Sequence, residues 1–149
     1  MADVNALDAS SARPVPLRDE VSAPFWEAAS RRCLVAQQCG VCERYQHPPD
    51  VICHSCASDQ LAFESVSTSG TIITYTIMRE SPIPGFPSGE PIIYAAVEID
   101  GSPGLVIQTN VLGVSPDQIQ IGQPAVVVWD ELSDECVLPQ VAIFVGSAQ

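Results

Sequence analysis

Four cysteines in two close pairs are the residues of this chain whose types and spacing predict chemistry. Cys39 and Cys42 form one Cys-x-x-Cys pair, Cys53 and Cys56 form a second, and ten residues separate the two pairs. Each pair can form a tight turn whose two sulfurs point at one ion, and four thiolates suit tetrahedral zinc. The sequence therefore predicts one structural zinc site, with no coordination position left for water.

Other roles for the cysteines have weaker support. Tetrahedral thiolates also suit iron, so a rubredoxin-like redox site stays open, and His54, inside the second pair, is an alternative ligand. A disulfide framework needs an oxidising compartment, but the first residues lack the basic and apolar stretches of a secretory signal. We therefore expect a cytoplasmic protein, in which the remaining Cys33 and Cys136 are small buried hydrophobic residues.

The charge of the chain is acidic and unevenly distributed. Eighteen acidic residues stand against six basic ones, all of them arginine, for a net charge of -12. No basic residue follows Arg79, yet nine carboxylates lie between Glu80 and Glu135. Because nucleic-acid binding relies on basic side chains that neutralise phosphates, we expect no nucleic-acid partner. No apolar run approaches the ~20 residues that span a membrane, so we expect no membrane partner either.

The elements that must position the cysteines divide the chain into four parts. Residues 1–16 are typical of a flexible tail, residues 17–32 contain a predicted helix, and residues 33–61 hold the cysteine pairs. The β-branched segments of residues 62–149 predict strands. These segments are 71–77, 92–99, 105–109, 125–129 and 141–145. Too few residues separate them for helical crossovers, so a mainly antiparallel barrel of five or six strands is predicted.

Two aromatic residues follow the start of the predicted helix, which covers about 22–32 with Pro24 in its first turn. Phe25 and Trp26 either pack onto the domain behind them or form an exposed face for a substrate or partner. The sequence leaves both interpretations open, so both residues are candidate contact residues.

A second candidate contact lies in residues 81–91, where four prolines and two glycines exclude a central strand. Pro84, Gly85 and Phe86 form the middle of this loop. Long loops inside compact domains are often functional, so we treat these three residues as candidate substrate or partner contacts. The alternative is that Phe86 folds back onto the barrel.

The order of these features resembles the zinc-ribbon/OB-fold proteins once grouped as domain of unknown function 35, which occur beside thiolase-like enzymes. The resemblance covers about 22–145, and this sequence retains all four zinc ligands, which some family members have lost. The matching features are Pro24–Trp26, the arm from Cys33 to Cys39, both cysteine pairs, Tyr45, Pro48-Pro49, Gly70-Thr71, Tyr75-Thr76, Pro84–Phe86, Gly113–Asp117 and Ile121-Gly122.

The resemblance implies a mainly β fold: an N-terminal helix, a rubredoxin-like zinc ribbon and a five- to six-stranded OB-fold barrel. It also implies a non-catalytic accessory subunit bound to a thiolase-superfamily protein, such as a thiolase or a steroid side-chain aldolase, in a hetero-oligomer of two plus two chains. The expected cofactors are one structural zinc and a coenzyme A thioester shared with the partner.

The residues themselves agree that this chain holds no catalytic constellation. Its only two histidines, His47 and His54, both lie in the cysteine-rich segment, so no nucleophile and base can be paired from the sequence. Four arginines are the candidates for coenzyme A phosphates: Arg31, Arg32, Arg44 and Arg79. Three alternatives remain: an acyltransferase subunit, a zinc-ribbon/OB module that binds nucleic acid or protein, and the iron redox site.

Overall fold

The computed structural model of the protein describes residues 13–80, 85–86 and 89–144. Within these residues it contains one helix and eight strands in three groups. They are α1 (Ala23–Ser30), β1 (Val35–Cys39), β2 (Tyr45–Gln46), β3 (Leu61–Ser65), β4 (Ser69–Met78), β5 (Ile92–Ile99), β6 (Val106–Val111), β7 (Pro124–Ser133) and β8 (Cys136–Ile143). The mainly β architecture predicted from the sequence is confirmed.

Helix α1 is shorter than the predicted 22–32. Its start is fixed by a reciprocal turn, in which the Ser22 amide donates to Asp19 Oδ1 at 2.7 Å and the Asp19 amide donates to Ser22 Oγ at 3.2 Å. Pro24 occupies the first turn, as predicted. The helix ends at Ser30 because Arg32 adopts a left-handed conformation with φ 56°, which stops α-helical hydrogen bonding.

The cysteine-rich segment folds around a three-stranded sheet of order β2-β1-β3. Strand β1 pairs antiparallel with β3 over its whole length, from Val35 opposite Ser65 to Cys39 opposite Leu61. Strand β2 pairs with the other edge of β1 through two residues only. The ribbon therefore borrows β3, which follows the second cysteine pair, to build its sheet.

The remaining five strands form a closed barrel of order β4-β5-β6-β8-β7. All pairings are antiparallel except β6 with β8, which are parallel and in register only at Val111 and Val141. Gly70 lies where β4 pairs with both β5 and β7, and a Cβ there would stand 2.4 Å from the Glu98 carbonyl oxygen. Only glycine permits this close approach of two backbones.

The β7–β8 hairpin is longer than the sequence predicted, since it also includes residues 130–133, of which Asp130 and Glu131 are charged, and residues 136–140. Pro139 is tolerated in β8 because its carbonyl oxygen accepts from Thr109 Oγ1 at 2.9 Å, on the side of β6. The proline nitrogen points to the same side, where the β6–β8 ladder is open, so no ladder hydrogen bond is lost.

One apolar core joins the helix, the ribbon and the barrel. Phe25 of α1 and Leu34 beside the ribbon belong to the same buried cluster as barrel residues such as Ile72 and Leu105. No helix among the described residues is long and apolar enough to cross a membrane.

Candidate metal centre and the adjacent cavities

The two predicted cysteine pairs converge on one point. The sulfurs of Cys39 and Cys56 are 3.6 Å apart, as are those of Cys42 and Cys53, and all four lie within 4.8 Å of one another. Zn–S bonds of about 2.3 Å place tetrahedral sulfurs roughly 3.8 Å apart. Two of the separations are close to this value and none exceeds 4.8 Å, so the four sulfurs fit a structural zinc site.

Each cysteine pair is built by the same local turn. The Glu43 amide donates to the Cys39 carbonyl and the Ala57 amide to the Cys53 carbonyl, both at 2.9 Å. Glu43 and Ala57, each directly after the second cysteine of its pair, take left-handed conformations with φ 61° and 60°. These residues turn the chain sharply enough for both sulfurs of a pair to face the same ion.

Backbone amides inside each turn favour the thiolate form. The amides of Cys42 and Val41 point at the Cys39 sulfur and lower its pKa to about 6. At Cys53 the amide of Cys56 lowers the pKa in the same way. Because zinc binds thiolates and not thiols, these amides prepare the site for the metal.

The fourth sulfur shows why a cation is needed. The Ser58 amide lowers the pKa of Cys56, but burial and the neighbouring sulfurs of Cys39, Cys42 and Cys53 outweigh it and raise the pKa to about 12. Four thiolates this close repel one another strongly in the absence of a positive charge. A divalent zinc ion would remove that repulsion, so the chemistry of the donor set fits the metal.

Two buried glutamines hold the ribbon loops in place, and no sequence pattern indicated their role. Gln46 Nε2 donates to Gln37 Oε1 at 2.9 Å and to the Ile52 carbonyl at 3.1 Å. Gln37 binds both the amide and the carbonyl of Asp50, and Gln46 Oε1 accepts from the His54 amide at 2.8 Å. Both side chains are less than a tenth exposed, so their amides replace water for the loop backbone.

The two histidines stand outside the sulfur cluster. His54 Nε2 lies 3.3 Å from Asp50 Oδ2, at the surface. His47 packs against Phe25 with ring centroids 4.9 Å apart, and burial lowers its pKa to about 4. Of the two remaining cysteines, Cys136 is buried as expected, whereas Cys33 is only half-buried, with its sulfur 3.7 Å from Ser65 Oγ.

A cavity of about 490 Å³ lies where α1, the ribbon and the barrel meet; we call it the helix cavity. The predicted contact residues Phe25 and Trp26 both form part of its wall. Phe25 is 4% exposed and belongs to the core, whereas Trp26 is half-buried. The ring centroids of Phe25 and Trp26 are 5.0 Å apart. This cavity depends on three distant segments, so no local pattern in the sequence indicated it.

A second cavity of about 500 Å³, the loop cavity, contains Gly85 and Phe86 in its wall; Pro84 lies outside the described residues. The Arg13 guanidinium stands 5.2 Å from the Phe86 ring centroid and donates to Asp130 Oδ2 at 3.2 Å. Phe86 therefore packs beneath a cation from the N-terminal segment, a partner that the sequence analysis did not foresee.

Known proteins share these features. The family model for the rubredoxin-like zinc ribbon domain of ChsH2 matches residues 26–62, and the model for the ChsH2 C-terminal OB-fold domain matches residues 64–130. The chain is similar to a chain in a solved structure described as an Ltp2-ChsH2(DUF35) aldolase, with 32% identity and a TM-score of 0.74. That similarity covers 86% of this chain and 98% of the other.

Two further relatives extend the comparison. A protein of Thermomonospora curvata named probable enoyl-CoA hydratase alpha subunit is 35% identical over 127 residues, which are 85% of this chain but only 39% of that relative. A DUF35 protein of Sulfolobus solfataricus, of unknown function, shares the fold at 14% identity and a TM-score of 0.60, covering 84% of this chain and 86% of that chain.

The fold and the sulfur site define a zinc-ribbon/OB-fold protein. The chain belongs to the ChsH2 (DUF35) family.

Proposed function

We propose that this chain is a non-catalytic accessory subunit of an enzyme complex that acts on acyl-CoA, with a thiolase-superfamily protein as its partner. It stabilises the partner and shapes the substrate site, and the partner supplies the nucleophile and base. The observation that carries the proposal is the similarity to nearly the whole of a chain from the Ltp2-ChsH2(DUF35) aldolase. The reaction is then a carbon–carbon cleavage of a bulky acyl-CoA.

The surface of the described residues supports a subunit role. Large apolar side chains are exposed on the ribbon, among them Val41 and Val51, each more than half exposed. In a complex, a partner that covers the ribbon would remove these side chains from water. The contact residues we propose are Trp26, at the helix cavity, and Phe86, at the loop cavity.

A second candidate partner is an enoyl-CoA hydratase. The Thermomonospora curvata relative carries that name and extends well beyond the part that this chain matches. In this alternative the chain contributes the same positioning role to a hydration reaction.

Co-purification tests both candidates. The full chain is co-expressed with a thiolase-fold or a hydratase protein encoded beside it, and the mass of any complex is measured by light scattering. We expect a two-plus-two complex with the thiolase-fold protein, whose cleavage of an acyl-CoA rises when this chain is present. A monomer that leaves both enzymes unchanged would contradict the proposal.

Matched surface variants locate the contact. Phe86→Ser removes the aromatic ring of the loop cavity, whereas Ile121→Ser removes an exposed apolar side chain elsewhere. If Phe86 lies at the interface, only Phe86→Ser weakens the complex, by about tenfold or more in Kd. Equal effects of the two variants would place the contact elsewhere.

A further inference from the structure

The segment that precedes helix α1, residues 13–18, lies against the barrel without regular secondary structure. Pro14 and Pro16 keep it extended, because proline fixes one backbone angle and donates no hydrogen bond. No backbone hydrogen bond joins residues 13–18 to the rest of the described chain. Val15 is 52% exposed and Leu17 is 95% exposed, so little apolar burial holds the segment in place.

Two arginine side chains, one at each end, make the hydrogen bonds of this segment to the barrel. Arg13 donates to Asp130 Oδ2 at 3.2 Å, and Arg18 donates to the carbonyl of Glu135, both in the β7–β8 hairpin. The Arg13 guanidinium also stands 5.2 Å from the centroid of the Phe86 ring, a distance at which a cation is attracted to an aromatic face. The segment is therefore fastened at both ends by arginine, and at one end it covers Phe86.

The carboxylate that receives Arg13 is held in position by the barrel itself. Gln140, which is 2% exposed, donates from Nε2 to Asp130 Oδ2 at 2.7 Å. Asp130 therefore keeps a hydrogen bond when Arg13 leaves it. The side chains of Arg13 and Asp130 are 22% and 26% exposed, so water and salt reach the ion pair and weaken it. This contact can open without any change in the core.

The segment also links the two cavities. Arg13 forms part of the wall of the loop cavity, whereas Leu17 forms part of the wall of the helix cavity. Asn110 and Gln140 belong to both walls, so the cavities are neighbours. Because the segment runs from one wall to the other, its departure would open both cavities at the same time.

We propose that residues 13–18 form a strap that is closed in the free chain, opens as a unit and controls access to Phe86 and the loop cavity. In the closed state the Arg13 guanidinium occupies the face of the Phe86 ring. Opening breaks the hydrogen bonds of Arg13 and Arg18 and uncovers the ring. The use of this access by a partner rests on the proposed function, in which Phe86 is a contact residue.

Limited digestion of the full, zinc-loaded chain with trypsin measures opening, because a protease cleaves a segment only while it is locally open. The chain has six arginines and no lysine, and trypsin does not cleave between Arg13 and Pro14, so cleavage after Arg18 reports the strap. Cleavage after Arg44, an exposed arginine of the ribbon, is the internal reference in the same digest.

The removal of one charge should open the strap. Arg13→Gln should raise the rate of cleavage after Arg18, relative to that after Arg44, by about fivefold or more. Arg79→Gln removes the same charge from an exposed arginine outside both cavities and should leave this ratio unchanged. Equal ratios in the wild type and in Arg13→Gln would overturn the proposal.

Two further comparisons test whether charge holds the strap. Arg13→Lys keeps the cation and should largely keep the slow cleavage of the wild type. Salt at about 1 M shortens the screening length to about 3 Å, so it should raise the cleavage ratio more in the wild type than in Arg13→Gln, which has already lost the ion pair. A salt effect of the same size in both proteins would contradict a strap that is held by Arg13.

Nuclear magnetic resonance tests the contact with Phe86. Side-chain protons of Arg13 that lie over the ring should be shifted upfield by its ring current. Phe86→Leu should abolish this shift, whereas Phe144→Leu, which removes a ring that is 68% exposed, should not. Arg13 protons without an upfield shift in the wild type would overturn the closed state.

Binding of the partner separates this inference from the proposed function. If the partner contacts Phe86, Arg13→Gln should bind it several-fold more tightly than Arg79→Gln does, because the open state is more populated before binding. Equal or weaker binding would show that the strap stays closed in the complex and would overturn its control of access. If no partner binds, the proposed function fails, while the digestion still decides whether the strap exists.

Discussion

The ribbon and the barrel are stabilised in different ways within one chain. The ribbon has few buried apolar residues, and four sulfurs together with the buried amides of Gln37 and Gln46 hold its loops. The barrel is closed by five strands around aliphatic side chains such as Ile72 and Leu105, both fully buried. Small segments cannot bury enough surface to fold alone, so the ribbon depends on a metal where the barrel depends on its core.

The ribbon and the barrel also depend on each other. Helix α1 packs on β8 of the barrel and on β1 of the ribbon, and Phe25 joins both to one core. A change in the ribbon therefore reaches the barrel through this helix, and the helix cavity lies at the same junction. Four predictions separate the contribution of the metal, the shared core, the buried histidine and the backbone.

The largest effect is expected from loss of the metal. Cys42→Ser removes one of four ligands, and structural zinc contributes ~10–16 kcal/mol to folding of small ribbons at neutral pH. We expect the variant to bind no zinc and to lose the dispersed amide signals of residues 35–65, while barrel signals persist. Cys33→Ser, which alters a cysteine outside the cluster, is the control and should keep one zinc per chain. Full zinc content in Cys42→Ser would contradict the four-thiolate site.

Truncation of the shared core residue should have the next largest effect. Phe25→Ala removes a ring that is 4% exposed and should lower the free energy of unfolding by about 3–5 kcal/mol. Phe144→Ala removes an equal ring that is 68% exposed and should change it by less than about 0.5 kcal/mol. Urea unfolding followed at Trp129 measures both. A small effect of Phe25→Ala would show that the helix does not couple the two regions.

How far the sequence predicts these regions depends on how local each feature is. The cysteine spacing predicted the metal site because each pair closes its own turn within a few residues. The strands at 71–77 and 92–99 were likewise found from local β-branched patterns.

Features that depend on tertiary contacts were not predictable in this way. The first half of β8 was missed because Pro139 is tolerated only where the β6–β8 ladder opens, and that opening belongs to the closed barrel. The buried roles of Gln37, Gln46 and Gln140 were missed because a glutamine becomes a core residue only when a loop or segment folds over it. The same reason hid the helix cavity, whose walls come from α1, the ribbon and three barrel strands.

The pH dependence of stability isolates the buried histidine between the two regions. Burial lowers the pKa of His47 from 6.5 to about 4, so the unfolded chain takes up the proton first as the pH falls. The stabilisation that comes from keeping His47 neutral in the folded chain is therefore fully present above pH 6.5. As the pH falls towards 4, the free energy of unfolding loses this part, about 3 kcal/mol in total.

The measurement is urea unfolding between pH 7 and pH 4 for the wild type and for His47→Gln, which cannot titrate there. Acid also protonates thiolates and releases zinc, and this happens in both proteins. The difference between the two proteins therefore reports His47 alone. We expect the free energy of unfolding of the wild type, relative to that of His47→Gln, to decrease as the pH falls. A constant difference would mean that His47 is not buried in the folded chain.

The smallest expected effect tests the backbone of the ribbon turns. Ala57 is exposed and has φ 60°, a left-handed conformation that costs a residue with a Cβ roughly 1–2 kcal/mol but costs glycine little. Ala57→Gly should therefore raise the free energy of unfolding of the zinc-bound chain by up to about 1 kcal/mol, after the greater entropy of glycine in the unfolded chain is subtracted. Ala62→Gly, an exposed alanine in β3, offers no strain to relieve and should lower it by about 0.5–1 kcal/mol. Opposite signs for these two substitutions, measured by urea unfolding with excess zinc, would show that the cysteine turn of the ribbon is strained and that its strand β3 is not. The same sign for both would place Ala57 in an ordinary backbone conformation.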